Sequence, residues 1–504
     1  MAIAIDDLDD EQVRTAAKLL ERENERLIRQ VLELKQKLNA VQGHSVEQMQ
    51  LLAELEHQLA VRNKMLFGRS SEKRSDKPAE SEQTPKTGHG PREQTELGIV
   101  EREHELDAPD RVCTSCGEPL SEMAGQFEES EEVDVLERQF VLVRHKRKKY
   151  RCTCGGCVET ALGPDKLIPG GRYSIDFAVS VAVAKYADHL PLEGQVRVMK
   201  RQGLIVDSQT LWDQINALAK WLGPAHERTH QHVLAQDIIG ADETFWRLME
   251  NGGDNKRWQT WAVICNNAVS YRILDSRSAA TAGEVLGDYV GTILCDGYRA
   301  YDSLQKRSGK FQLAHCWAHV RRKFVEAEEF APEPCRQVLE LIGELYAVER
   351  ECSNDEERAR ARSERSRDIL KRIHAWALEQ RALPQSPLGK AIRYMGDLWA
   401  GLVRFIDEPR LALDNNATER ALRGVVLGRK NHYGSRSERG TQVAALFYSL
   451  IESAKLAGVE PDAYLRAAAH AAVRQQVIPL PHETTLSSTQ ARVFTEIPGP
   501  QASA

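Results

Sequence analysis

The sequence predicts a multidomain α+β protein, because it combines a seven-residue apolar repeat, a group of closely spaced cysteines and a central series of β-prone segments. Its 504 residues are enough for three or four domains of roughly 150 residues each. No apolar run approaches the ~20 residues that a membrane span requires, so we expect no membrane partner. The acidic start of the chain is unlike a secretory signal, which predicts a bacterial-type cytoplasmic location.

The N-terminal region, residues 1–66, is predicted to be helical and to contain a short coiled coil. Two core positions of a heptad repeat are occupied in turn by Ala17, Leu20, Asn24, Leu27, Val31, Leu34, Leu38 and Val41. Asn24 stands where one buried polar residue fixes the register and favours two strands. We therefore expect a homodimer through this segment, although packing within one chain would produce the same pattern. Residues 67–108 are predicted to be a flexible linker, because they are mostly polar.

A zinc-binding module is predicted over residues 109–165. Thiolates two residues apart, with glycine beside them, supply half of a tetrahedral four-sulfur site, and closely spaced cysteines in a reducing compartment favour metal over disulfides. A strand is expected between the two cysteine groups, from Gln139 to Val143. We expect one structural Zn²⁺ on Cys113, Cys116, Cys154 and Cys157, with Cys152 as a rival ligand.

Basic residues cluster at 62–74, 144–151, 321–323 and 420–439, although the net charge is only −6. Such clusters are either patches that face phosphates or ordinary solvated surface. Residues 166–235 have a helical pattern, with a second helix at Glu193 to Arg201 and a third that Ser208 is expected to cap. This segment is either a helix-turn-helix that binds DNA or a helical linker domain.

From Ile238 onward the pattern is three strands, a helix and two more strands, which is the order of an RNase H-like sheet. Asp242 and Asp296 stand at the ends of apolar runs on strands expected to be neighbours, and Glu419 falls in the first turn of a later helix. Two Mg²⁺ or Mn²⁺ ions ~3.5 to 4 Å apart need such carboxylates, so these three are the candidate metal ligands and catalytic residues. Each has a structural alternative: a turn cap, a turn residue before glycine, and a capping box from Asn416 to Glu419.

The 122 residues between Asp296 and Glu419 are too many for one strand and a loop, and Gln337 to Ala400 is rich in helix formers. We expect an all-helical insertion whose role is to clamp DNA or to act as a spacer. His319, in Cys316-x-x-His319, is expected near the acidic site as a phosphate or structural contact; a buried histidine with satisfied nitrogens is the alternative. We expect the RNase H-like core to consist of residues 236–325 and 406–458, interrupted by the insertion at 326–405. A C-terminal helical segment and tail are expected over residues 459–504.

A colinear set of strings resembles the transposases of the insertion sequence sixty-six family, TnpC type, from about residue 15 to residue 470: LFGRSSEKR, KYADHLPLEGQ, ADETFW, CDGYRAY, CWAHVRRKF, DNNATERALRG, GRKN and FYSLIESAKLAGVEPDAYL. The resemblance implies a DDE recombinase with Asp242, Asp296 and Glu419 as its acidic triad. It also implies a leucine-zipper-like N-terminus, a zinc module, a helical DNA-binding segment and accessory proteins encoded by the same element. The sequence departs from the family at Cys152-Thr-Cys154 and at His432-Tyr433, where a bulkier apolar pair is expected.

The expected function is therefore a nucleoid-associated transposase that cuts transposon ends and joins the 3′-hydroxyl to target DNA by two-metal-ion phosphoryl transfer. One alternative is a catalytically inactive, zinc-containing DNA-binding regulator derived from a transposase. Another is a nuclease that cuts without joining. The residues expected to contact double-stranded DNA are Arg144, Lys146, Arg147, Lys148, Lys149, Arg321, Arg322, Arg420, Arg423, Arg429 and Lys430.

Overall fold

The structure, a computed structural model, describes residues 140–151, 158–249 and 255–484, together with the single residue Arg26. The heptad repeat, the linker and all five cysteines of the expected zinc module lie outside the described residues. The chain divides into two compact units. The described part of the smaller unit is 140–151, 158–163 and 197–206. That of the larger unit is 164–196, 207–249 and 255–484, with Arg26.

The smaller unit contains a short antiparallel hairpin of β1 (Lys149–Arg151) and β2 (Val158–Thr160). Arg147 donates from Nε to the carbonyl oxygen of Ala161 at 2.5 Å. This side-chain bond links the two segments that flank the hairpin strands. The expected strand from Gln139 to Val143 is wrong over its described residues, because 140–148 contain no strand. Val141, Leu142 and Val143 are exposed with no strand paired to them, and a β-prone sequence alone does not make a ladder.

Three helices precede the large sheet: α1 (Ile175–Tyr186), α2 (Leu192–Arg201) and α3 (Ser208–Leu234). The cap of α3 is Asp207 and not Ser208, because the Asp207 carboxylate accepts the Thr210 backbone N–H at 2.6 Å. The helix is longer than the expected DNA-reading helix and buries an apolar stripe that includes Leu211, Ile215, Leu218 and Leu222. Much of α3 is therefore a core element that packs against the sheet.

Five strands form the large sheet in the order β5-β4-β3-β6-β7. Their bounds are β3 Ile238–Met249, β4 Asn255–Ile264, β5 Val269–Leu274, β6 Gly291–Cys295 and β7 Phe311–His315. The first three are antiparallel, whereas β3, β6 and β7 run parallel. Helices α4 (Ala279–Leu286) and α5 (Arg299–Ser308) flank β6. The sequence prediction lacked α5, although parallel neighbours such as β6 and β7 need a crossover between them.

Every described element between residues 317 and 406 is helical. These are α6 Trp317–Ala327, α7 Pro332–Glu351, α8 Asp355–Ala361, a π turn Arg362–Ser366, α9 Arg367–Glu379, α10 Pro387–Leu402 and a 3-10 turn Arg404–Ile406. The helices share an apolar core that includes Phe324, Ile342 and Ile373. We call this region, residues 317–406, the helical section.

The chain returns to the sheet through α11 (Asn416–His432), α12 (Glu438–Leu456) and α13 (Pro461–Val473). Helix α12 is buried along most of its length and covers the edge strand β5. Ser449 and Ser453 of α12 accept the backbone N–H groups of Tyr271 and Val269 at 2.8 and 2.9 Å. These bonds satisfy donors that an open sheet edge would leave unpaired. None of the described helices combines the length and the apolar character needed to cross a membrane.

Candidate active site

Asp242 and Asp296 lie level with each other on neighbouring parallel strands. The register pairs Gly240 of β3 with Leu294 of β6, and each aspartate stands two residues further along its strand direction. Since side chains alternate between the faces of a strand, residues two apart share a face. Asp296 follows the last residue of β6, so its side chain stands at the carboxyl end of the parallel pair.

The first turn of α11 lies on the sheet face that Asp242 shares with Gly240. A Cβ atom at Gly240 would collide with the hydroxyl of Thr418, so the close approach of helix and strand requires glycine there. Asn415 precedes the helix and donates from Nδ2 to the carbonyl oxygen of Ala241 at 3.2 Å. These contacts place Glu419, in the same first turn, on the same face as the two aspartates.

The capping box from Asn416 to Glu419 is not formed. The helix begins at Asn416, and its cap residue Asn415 makes no side-chain cap bond. The Asn416 N–H donates instead to Asp414 Oδ1 at 3.1 Å. Glu419 instead has Oε1 at 3.5 Å from Nε2 of His319, in the first turn of α6. The capping-box alternative for Glu419 is therefore wrong, because the Asn416 N–H bonds to Asp414 and the Glu419 carboxylate contacts His319.

The pKa of Asp242 is raised by burial and by the acidic residues near it. The pKa of Asp242 is raised to about 7, first by burial and then by the negative charges of Asp296, Glu243 and Glu419. The backbone N–H of Glu243 donates to Asp242 Oδ1 at 2.8 Å and opposes the shift only in part. Like charges held near one another raise a carboxyl pKa in this way.

His319 lies beside Glu419 but is not a satisfied core histidine. Its Nδ1 atom is buried without a hydrogen-bond partner among the described residues. The neighbouring Cys316 is buried, and its sulfur accepts the backbone N–H of Asn415 at 3.2 Å, which ties α6 to the start of α11. Over the ranges 140–151, 158–249 and 255–484, no three His, Cys, Asp or Glu side chains lie close enough together to hold a metal ion as they stand.

Glu243 is an acidic residue of the site that sequence reasoning missed. Its buried side chain pairs with Arg277, which donates from Nε at 2.9 Å, and accepts the hydroxyl of Tyr301 at 3.1 Å. The Arg277 guanidinium also lies 3.9 Å from the ring centroid of Tyr298. The Tyr298 backbone N–H in turn donates to Asp296 Oδ1 at 2.9 Å. A continuous network therefore joins β3 to the Asp296 turn.

The helical section supports the Asp296 turn from the other side. The Tyr394 hydroxyl of α10 donates to the carbonyl oxygen of Asp296 at 2.7 Å. Gly297 has φ +88°, and a Cβ there would lie only 2.8 Å from Leu398 Cδ1 of α10. Glycine is needed at this position both for its left-handed backbone and for the close packing.

The basic residues expected to contact DNA fall into two groups. Arg429 has intramolecular partners: its guanidinium bonds to the carbonyl oxygen of Phe245 and the hydroxyl of Thr244, and burial lowers its pKa. Arg147 likewise bonds within the hairpin, as described above. Arg420 lines a cleft of about 480 Å³ beside the α11 start. The remaining residues are exposed to solvent, and Arg322 among them also interacts within the chain: Arg144, Lys146, Lys148, Lys149, Arg321, Arg322, Arg423 and Lys430.

Two family models match the chain. The model described as "Transposase IS66 family" matches residues 170–443, a range that contains Asp242, Asp296 and Glu419. The model described as "zinc-finger binding domain of transposase IS66" matches residues 110–155. That second range contains four of the five closely spaced cysteines, and Cys157 lies two residues beyond its end.

Similar proteins occur in Sinorhizobium fredii (strain NBRC 101917 / NGR234). "Uncharacterized protein y4jD" is 32% identical over 381 residues, covering 71% of this chain and 74% of that protein. "Uncharacterized protein y4hP" is 26% identical over 396 residues, covering 73% and 71%. Among solved structures, "Mos1 transposase paired-end complex with left transposon end" is matched at 10% identity over 50% of this chain and 82% of that one. Its TM-score of 0.14 is too low to support any argument about fold.

Proposed function

The chain belongs to the IS66 family of transposases, and from that membership we propose that it is a DDE-type enzyme that cuts transposon ends and joins the freed 3′-hydroxyl to target DNA. The observation that carries the proposal is the proximity of Asp242 to Asp296 and Glu419, because the negative charges of these two residues help to raise the pKa of Asp242. Acidic groups kept close in this way cost stability, and such shifts concentrate at functional sites.

We assign the sheet to an RNase H-like core. Three antiparallel strands followed by two parallel strands, in the order β5-β4-β3-β6-β7, support this assignment. The helical section lies in the chain between β7 and α11, which supports an all-helical insertion between the second and third acidic residues. Both ends of the insertion are tied to the core: Trp317 N donates to Leu413 O at 3.0 Å, and Arg404 Nε donates to Leu313 O at 3.0 Å.

The acidic residues fit divalent metal ions by their chemistry. Carboxylate oxygens are the ligands that Mg²⁺ and Mn²⁺ prefer, and a bound cation would relieve the repulsion that raises the Asp242 pKa. Asp242 and Asp296 would hold one ion, with Glu419 contributing to a second. When bound, the two ions would supply charge to stabilise the attacking and leaving oxygens of an in-line displacement at phosphorus.

The protein groups around the acidic residues would orient the reacting DNA. Tyr394 and the Tyr298 backbone N–H fix Asp296 from two sides, and the Glu243 N–H fixes Asp242. His319 beside Glu419 is available to contact a phosphate oxygen with its ring. Arg420, Arg423 and Lys430 on the exposed side of α11 would hold neighbouring phosphates, whereas Arg429 would act by fixing α11 to β3.

Further parts of the proposal rest on the sequence and on the zinc-finger match. Cys113, Cys116, Cys154 and Cys157 would bind one structural Zn²⁺, with Cys152 as the rival for the fourth position. The basic segment 144–149, exposed next to the β1–β2 hairpin, would contact DNA phosphates. The N-terminal heptads would form a homodimer, and accessory proteins of the same element would assist.

An inactive DNA-binding regulator is the second candidate function. It would retain the zinc module and the basic clusters, but it would gain nothing from three crowded carboxylates. A simple nuclease would use the carboxylates but would not join ends to a target. A cleavage and strand-transfer assay with Mg²⁺ or Mn²⁺, on duplexes that carry the element's own ends, separates all three.

In that assay we expect the wild-type protein to cut the ends and join them to a plasmid. Asp242→Asn should lower the cleavage rate by ~10²- to 10³-fold or more, with DNA affinity changed by less than about twofold. Asp288→Asn is the matched control, because Asp288 is an exposed aspartate that pairs with Lys310 at the surface. Cleavage by Asp242→Asn at the wild-type rate would remove the assignment.

A further inference from the structure

Tyr433 has an unusual backbone and an exposed ring. It follows the last residue of α11 with φ +62° and ψ 9°, in the left-handed region that favours glycine or asparagine. The described residues contain two other non-glycine positions with positive φ, His189 and Gln475. Among the three, only Tyr433 presents a large aromatic ring to solvent, with 65% of the residue exposed. A strained residue with an exposed ring calls for a functional explanation.

The turn that holds Tyr433 is fixed to the sheet. Ser435 N donates to Arg247 O at 3.0 Å, and Met249 N donates to Ser435 O at 2.8 Å. The preceding His432 points into the core, where its Nε2 lies 3.2 Å from the hydroxyl of Tyr448. His432 is half-buried, whereas Tyr433 is exposed. The backbone that carries the Tyr433 ring is therefore anchored to the sheet.

The surface of α11 that leads to Tyr433 is basic. Arg420, Arg423, Leu427 and Lys430 are exposed and recur at helical spacing from the turn that carries Glu419. Ser435 bridges to Leu248, six residues beyond Asp242 on β3, which places the turn ~20 Å from Asp242 at ~3.4 Å per strand residue. That length corresponds to about six stacked nucleotides at ~3.4 Å each.

We infer that Tyr433 is a base-stacking residue for an unpaired nucleobase of the DNA strand whose phosphates follow Arg420, Arg423 and Lys430. The stacked base lies about six nucleotides from the bond cut at Asp242. An aromatic ring at the end of a cationic track is the combination by which proteins hold single-stranded DNA without reading its sequence. The inference rests on the proposed function, since it needs DNA at the acidic site.

The test uses the full-length protein and partly single-stranded DNA from the element's end. Single 2-aminopurine bases are placed two to ten nucleotides from the mapped cut, and their fluorescence is measured with wild type, Tyr433→Phe and Tyr433→Asn. We expect quenching to peak near position six with wild type and Tyr433→Phe and to vanish with Tyr433→Asn. The affinity of Tyr433→Asn should fall by about tenfold, because each base–aromatic stack contributes strongly to single-strand binding.

Thermal unfolding separates stacking from a structural role. Asparagine adopts the left-handed conformation readily, so Tyr433→Asn should unfold at the same temperature as wild type or higher while binding DNA less tightly. Val477→Asn is the control for loss of an exposed apolar side chain elsewhere. Unchanged quenching and affinity in Tyr433→Asn, or a lower unfolding temperature in step with the lost affinity, would overturn the inference. Absence of DNA binding by wild type would instead overturn the proposed function.

Discussion

The Tyr394 hydroxyl donates a hydrogen bond of 2.7 Å to the backbone carbonyl oxygen of Asp296, 98 residues earlier in the chain. This bond joins helix α10 of the helical section to the turn that carries the second acidic residue. Leu398, one helical turn further on, packs against Gly297 of the same turn. The helical section is therefore more than a spacer, because it supports the backbone on which Asp296 stands.

Tyr394→Phe tests this support. The change removes one hydrogen bond and should cost about 1 kcal/mol of unfolding free energy. Because Asp296 is then less firmly held, the cleavage rate should fall by ~10-fold or more and the Mg²⁺ concentration for half-maximal rate should rise. Tyr464→Phe is the matched control, since it loses a bond to the Pro479 carbonyl oxygen of 3.2 Å in the C-terminal region. Equal activity and Mg²⁺ dependence in both variants would show that Tyr394 does not position Asp296.

The raised pKa of Asp242 predicts a pH-dependent cost in the metal-free protein. The carboxyl has a pKa of about 7 in the folded chain and an ordinary, lower value when unfolded. The contribution of this carboxyl group to the unfolding free energy is therefore greatest below about pH 4 and is lost as the pH rises toward about 7. Asp242→Asn should raise the unfolding temperature at pH 8 more than at pH 5 in the presence of a chelator. Added Mg²⁺ should stabilise the wild type more than the variant, which loses one of the proposed ligands. An equal effect of the substitution at both pH values would contradict the assigned pKa.

Two buried histidines predict that the stability of the folded chain falls as the pH is lowered, which is opposite to the effect of Asp242. Burial lowers the pKa of His226 to about 3 and that of His230 to about 4, so both are neutral in the folded chain. His230 bridges the Ser270 hydroxyl and the Val285 carbonyl oxygen, each at 3.0 Å. Their contribution is full above about pH 6.5 and is lost as the pH falls toward 4, because only the unfolded chain takes up protons there. His230→Gln should be less stable at pH 8 yet lose less stability between pH 6.5 and 4.5 than wild type. An equal loss of stability in wild type and in His230→Gln over this pH range would show that His230 is not its cause.

Arg362 predicts a large structural effect within the helical section. Its buried guanidinium bonds to both carboxylate oxygens of Glu349, at 2.8 and 2.7 Å, and to the backbone oxygens of Phe405, Glu408 and Leu411. Arg362→Met leaves the three backbone oxygens without this donor, and Glu349 keeps only its longer contact with Arg358 at 3.5 Å. The change should cost about 3 to 5 kcal/mol in denaturant unfolding. Arg365→Met is the control, because its ion pair with Glu351 is exposed to solvent and should contribute little to stability. Similar losses of unfolding free energy in the two variants would show that the buried Arg362 network stabilises the fold no more than an exposed ion pair does.

The strands that carry the two aspartates could be predicted from the sequence because their apolar runs are local signals. Helix α5 was missed because it buries only Ala300 and Tyr301, which leaves no apolar stripe to recognise. The cap of α3 was placed one residue late, since Asp207 and Ser208 are both good capping residues and the sequence does not choose between them.

The supporting contacts of the site could not be predicted because their partners are distant in the chain. Glu243 and Arg277 are 34 residues apart, and nothing local marks them as a pair. The alternation of side chains along β3 is the one sequence signal that could have assigned different roles to Asp242 and Glu243. Neighbouring residues on a strand point to opposite faces of the sheet. The role of Arg429 was also hidden, since a basic residue looks the same in sequence whether it binds phosphate or a backbone carbonyl.

The most direct measurement of the central claim is the number of Mn²⁺ ions bound per chain, followed by electron paramagnetic resonance, in zinc-loaded protein with end-containing DNA. We predict two ions for wild type and for Asp288→Asn, and fewer for Asp242→Asn and for Glu419→Gln. Two ions bound with wild-type affinity by both Asp242→Asn and Glu419→Gln would contradict the account, because the carboxylates would then not be the ligands.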